Sequence, residues 1–198
     1  MKTLLLSVEN YVSSLLKENL SGDLGFHGIT HTVEVAKAAV EIGQFYSLDG
    51  GQMEILLVSA WFHDCGYIHT YAGHEEKSKQ IAKSFLTRYK ADTEFINSVS
   101  ACIEATKFPQ SPMNLVEMIL CDADFFHFTR PTYPRYAMAI RREFEIFLHR
   151  VYSDEEWKTI NMAMLRNHTY WTSYGKNVLD RFKQVNVILM NFNSRDIL

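Results

Sequence analysis

Apolar positions recur at a helical period along almost the whole chain. Leu4, Leu5, Val8, Val12, Leu15 and Leu16 trace one face of a first helix. The glycine-rich "SGDLGFHG" then breaks the pattern. A second helix is predicted over about Ile29 to Phe45, with Val33, Ala36 and Val40 on one side. "SLDGGQ" reads as a turn, and a third helix follows from about Met53 to His63. Gly66 falls where helices commonly stop. "HEEKSKQIAKSFLTRY" places acids first and bases later, as a helix dipole favours. Further helices are expected at about Asp92 to Thr106, Met113 to Phe128 and Tyr136 to Val151, separated by "KFPQSP" and "TRPTYP". Ser153 and Glu156 form a capping box that opens a last long helical region. No run alternates as a strand would. The expected fold class is all-α: one helical domain over residues 1–198, in which the C-terminal helices are an addition to a smaller core.

Composition adds exclusions. Of 198 residues, 47% are hydrophobic, enough for a sizeable core. The net charge of -3 gives no bulk attraction to nucleic acid or to an anionic membrane. Cys65, Cys102 and Cys121 lack a CxxC spacing and suit a reducing compartment. The apolar run in "MKTLLLSVENYV" is too short for a signal peptide, and no segment is long enough to span a bilayer. The expectation is a soluble cytoplasmic protein.

Polar groups interrupt this pattern at "AWFHDCGY", where His63 and Asp64 end an apolar helix. Desolvating both is costly without a partner. Alone, the doublet reads equally well as a hydrogen-bonded pair at a helix end. His31 and the aspartates of "LCDADFF" are further candidate ligands, and a mixed imidazole and carboxylate set suits a borderline or hard divalent cation. Asp122 and Asp124 are two apart and face nearly opposite ways on one helix, so only one should line a site.

The ordered set "FHGITHTVEVA", "AWFHDCGY", "HEEKSKQIA" and "LCDADFFHF" resembles the HD superfamily of metal-dependent phosphohydrolases. It is similar to stand-alone bacterial HD proteins and to HD portions found beside cyclic-nucleotide defence effectors. The resemblance covers about residues 24–130, which it implies form a bundle of about five core helices around a metal site, with a C-terminal helical extension at about 131–198. It assigns His31, His63, Asp64 and Asp124 as ligands, with Asp124 preferred to Asp122 because the family's distant aspartate often sits in an "AD" pair. Some members hold two ions. Lys107 stands where a further histidine would lie, so one ion is expected: Mg, Mn, Fe, Ni or Zn.

The implied reaction is attack of metal-activated water on a phosphoester of a nucleotide or cyclic nucleotide. Asp64 would also orient or deprotonate that water. Lys107 is a candidate for stabilising transition-state charge, beside its reading as a solvated lysine. His74 could contact phosphate, protonate the leaving group or bind a second ion. Glu75 would orient a ligand or complement the dipole of its helix. Arg130 and Arg135 flank the proline turn as phosphate contacts. His27 reads as a substrate contact or a local structural residue, and His127 as a support for Asp124 or a packed core histidine. Two other readings stand beside the enzyme: a non-catalytic nucleotide-binding module, and a helical interaction protein whose histidines merely pack.

Overall fold

The computed structural model describes residues 2–192, so the end of the expected extension lies outside the described residues. Helices carry almost all of the regular structure: α1 (Lys2–Asn19), α2 (Ile29–Phe45), α3 (Gly50–Phe62), α4 (His74–Arg88), α5 (Thr93–Thr106), α6 (Leu115–Asp124), α7 (Tyr133–Phe147), α8 (Asp154–Asn167) and α9 (Asp180–Phe192). No strand occurs among the described residues. None of the described helices is long and apolar enough to cross a membrane. All three cysteines are free and buried.

Local chemistry moves several boundaries from their expected places. The third helix starts at Gly50 rather than Met53, because Asp49 caps it. Asp49 Oδ1 accepts from Gln52 N at 2.8 Å, and Gln52 Oε1 accepts from Asp49 N at 3.2 Å. The two glycines read as a turn are therefore its first residues. α7 starts at Tyr133, ahead of the expected Tyr136, because a proline in the first turn gives up no intrahelical hydrogen bond. It stops at Phe147, short of the expected Val151, and His149 then takes a left-handed φ of 53°. The helix expected over Met113 to Phe128 is shorter: Asn114 caps α6, and a 3₁₀ turn (Phe125–Thr129) replaces its last part. The last helical region is broken at residues 168–172; it resumes at 173–174 and runs through a π turn (Gly175–Leu179) into α9.

The main core lies between α2, α3, α5 and α6, with α1 and α4 packed outside. Ile42, Leu56, Val58, Phe62, Val99, Ile103, Ile119 and Leu120 are fully buried there. Tyr170, within the break, and Leu179, after it, belong to the same cluster. Burying one such side chain stabilises the fold by about 1.5–3 kcal/mol. This core holds the C-terminal end of α3 beside the start of α2 and the end of α6, where the candidate ligands stand.

Candidate metal centre

His31 lies in the first turn of α2, and Asp124 is the last residue of α6. His63 follows α3 with its backbone still helical (φ −53°, ψ −38°). At Asp64 the chain bends (φ −105°, ψ 3°) into a 3₁₀ turn, Cys65–Ile68. That bend lets neighbouring residues aim at one point, which a continuous helix forbids.

Ligand atoms of His31, His63 and Asp124 all lie within 4.8 Å of one another. His31 Nε2 is 3.1 Å from Asp124 Oδ1 and 3.4 Å from Asp64 Oδ2. His63 Nε2 is 3.3 Å from Asp64 Oδ2 and 3.6 Å from Asp124 Oδ1. His74, the first residue of α4, brings Nε2 to 3.4 Å from Asp64 Oδ1. The tertiary structure thus joins His31, His63, Asp64, Asp124 and His74.

Gly66 makes that last approach possible. A Cβ there would sit 1.9 Å from the His74 carbonyl oxygen, so the turn after the doublet packs directly on the start of α4. Gly66 N also donates to Ser78 Oγ at 2.8 Å. Its φ is not positive, so close packing, rather than the conformational freedom expected of a stop signal, requires glycine. Gly73 has φ 75° and supplies the left-handed entry to α4.

The donor set fits a cation. His63 Nδ1 donates to the Ala60 carbonyl at 2.8 Å, which leaves Nε2 as a lone-pair donor. His63 Nε2 and Asp64 Oδ2 are both buried without a hydrogen-bond partner. Burying such groups without compensation is costly, and a bound divalent ion supplies it. Burial alone would depress the His63 imidazole, but Asp64 and Asp124 outweigh it and raise its pKa well above the ordinary value. Burial alone would raise Asp64 and Asp124. Facing imidazoles instead hold both below the usual carboxylate range, His63 foremost for Asp64 and His31 foremost for Asp124.

The other expected residues separate. Asp122, on the opposite side of α6, accepts from Trp171 N at 2.7 Å, Thr172 N at 3.0 Å and Thr172 Oγ1 at 2.6 Å. It anchors the chain after α8. Lys107 is exposed and lies 4.0 Å from Glu104, which also pairs with Lys79 on the outer face of α4 and α5. Arg130 rests over the Phe126 ring at 4.8 Å, and Arg135 is exposed. Glu75 is buried, with Oε2 3.7 Å from His74 Nδ1. His127 Nδ1 donates to the Asp124 carbonyl at 3.1 Å, and burial lowers its pKa to about 3.

Sequence reasoning missed Glu143 and Tyr67. Glu143 of α7 is fully buried, and its carboxylate receives Phe26 N, His27 N, His27 Nδ1 and Tyr71 Oη. The available signal was register: Tyr133, Ala137, Ile140 and Glu143 form the buried side of α7, so an acid occupies a core position. Tyr67 stacks on His27 at 4.2 Å and on His74 at 3.8 Å.

The HD domain family model matches residues 28–129, just over half of the chain, and the protein belongs to that family. Among solved structures, the chain resembles the crystal structure of a predicted HD superfamily hydrolase from an uncultured Thermotogales bacterium. That match has 21% identity and a TM-score of 0.60, and it covers 95% of this chain and 90% of the other; it shows a shared fold. No curated protein matches the sequence.

Proposed function

We propose that the chain is a metal-dependent phosphohydrolase that cleaves a phosphoester of a nucleotide or cyclic nucleotide. His31, His63, Asp64 and Asp124 hold one divalent cation, of the Mg, Mn, Fe, Ni or Zn group. The observation that carries the reading is the pair of buried, unpartnered atoms, His63 Nε2 and Asp64 Oδ2, within a converging set of imidazoles and carboxylates. A scaffold has no use for such a set, because each buried polar atom it needs can be hydrogen-bonded instead.

When bound, the cation supplies an acidified water and polarises a phosphoryl oxygen. Asp64 faces the two imidazoles through Oδ2 and His74 through Oδ1. It therefore both grips the ion and orients the attacking water. His74, with a side chain 14% exposed, contacts the phosphate at the open edge. Arg130, whose guanidinium rests over the Phe126 ring, and the exposed Arg135 are the arginine candidates for phosphate contact.

The test is turnover of a panel of nucleotides and cyclic nucleotides by protein loaded with each metal in turn. Expected are hydrolysis of at least one phosphoester and loss of bound metal in His63→Ala and Asp64→Ala. Retained full metal content in both variants overturns the site. Bound metal and nucleotide with no turnover would replace the enzyme by a nucleotide-binding module.

A further inference from the structure

The hydrogen bonds outside the cation cluster converge on Glu143. Its side chain is 0% exposed, yet it receives four donors, two from the backbone before α2 and one each from the His27 and Tyr71 side chains. A carboxylate is carried into a core only where such donors repay its desolvation. The short bond, 2.5 Å, is the one to His27 Nδ1.

That bond sets the orientation of His27. With Nδ1–H held by the carboxylate, the other ring nitrogen, Nε2, points away from Glu143. The ring is fixed on its face by Tyr67, stacked at 4.2 Å, and at its edge by His31, with ring centroids 5.9 Å apart. The side chain stays 16% exposed, so the ring is not sealed from a ligand. This is a histidine oriented by a buried acid at the rim of the candidate metal centre, the arrangement that general acid–base chemistry requires. Both members lie outside residues 28–129, the span shared with the HD family, and the acid comes from α7.

We infer that His27 is the proton donor to the leaving group and that Glu143 is its positioning residue, so that the C-terminal extension completes the site. This rests on the phosphohydrolase reading above. In the step, the oxygen of the attacking water bonds to phosphorus, and one of that water's protons passes to Asp64. The bond from phosphorus to the leaving oxygen breaks. His27 enters the step as an imidazolium, with Nδ1–H held by Glu143; the leaving oxygen takes the Nε2 proton and departs as an alcohol, His27 is left neutral with Nδ1–H retained, and exchange with solvent resets both groups.

The test compares metal-loaded wild type, His27→Gln, Glu143→Gln and the double variant on two esters. One is bis-p-nitrophenyl phosphate, whose leaving group departs without a proton. The other is the unactivated nucleotide ester found in the panel above. His27→Gln should lower kcat on the unactivated ester by about 10²–10⁴-fold and on the activated ester by less than about tenfold, with bound metal unchanged. Glu143→Gln should show the same asymmetry more weakly, and the double variant should be no worse than His27→Gln. Equal losses on both esters, or additive losses in the double variant, overturn the inference. Proton spectra separate its failure from that of the phosphohydrolase reading. Wild type should show a far-downfield Nδ1 proton that is absent from both His27→Gln and Glu143→Ala. If no ester in the panel is hydrolysed, the enzymatic reading and the proton-donor role fall together, and this resonance alone decides whether Glu143 orients His27. Its absence from wild type, or its persistence in folded Glu143→Ala, overturns the positioning role.

Discussion

Asp122 and Asp124 stand two residues apart on α6, and each puts a carboxylate beyond easy reach of water. Asp122 is fully satisfied: two backbone amides and a hydroxyl from residues 171–172 reach it at 2.6–3.0 Å. Gly175 closes over it so tightly that a Cβ there would lie 2.3 Å from Asp122 Oδ2. Asp124 instead faces His31 and His63, beside buried atoms that have no hydrogen-bond partner. A buried charge whose needs are met by its own chain is a structural anchor. A buried charge whose neighbours remain unmet is prepared for a ligand. The acids differ in role because α6 turns one toward the C-terminal segment and the other toward α2 and α3.

The comparison breaks most directly in the metal content of the two asparagine variants. Asp124→Asn should weaken metal binding by more than about a hundredfold, beyond the effect of losing a ligand's supporting hydrogen bond, and should abolish turnover. Asp122→Asn should keep the metal. The reverse order, read by elemental analysis, would exchange the roles assigned here.

Stability should divide the other way. Asp122→Ala leaves the Thr172 amide and hydroxyl and the Trp171 amide without their acceptor, at a cost of about 1–3 kcal/mol in urea unfolding. Gly175→Ala should cost a similar amount, about 1–3 kcal/mol, through overpacking against Asp122 and Tyr170. Unchanged unfolding midpoints in both variants would show that the anchor carries no load.

The same C-terminal segment has a pH signature. Burial and the nearby Lys183 lower the His168 pKa to about 4, and neither ring nitrogen has a hydrogen-bond partner. The unfolded chain binds that proton at an ordinary pKa of about 6.5, more readily than the folded one. Its contribution is therefore complete above pH 6.5 and is lost as the pH falls toward 4, up to about 3 kcal/mol. His168→Phe should flatten unfolding free energy across that window; an unchanged slope would refute the assignment.

The smallest effect is expected at Lys107. Its ion pair with Glu104 is on the exposed face of α4 and α5, where such pairs contribute about 0–1 kcal/mol. Lys107→Ala should change kcat/KM by less than about threefold, and a loss above tenfold would restore the role expected for it in transition-state stabilisation.

Helical periodicity, the turns and the His–Asp doublet were legible in the sequence because each depends on residues close in the chain. His31, His63, Asp64 and Asp124 could be nominated as a set through the family resemblance, since the donor types and their order are written in one dimension. Glu143 could not. Its partners His27 and Tyr71 lie 116 and 72 residues away, and a single acid in "RREFEIF" resembles many on helix surfaces. Gly66 shows the same divide. Its presence after the doublet marked a break, but only the packing of α4 showed that a Cβ would strike the His74 carbonyl. What the sequence determined by itself was the all-helical class, most of the helices and the kinds of ligand available. The tertiary structure alone decided which aspartate faces the imidazoles and which acid holds His27, because burial and hydrogen bonding depend on distances between segments that the order of residues does not contain.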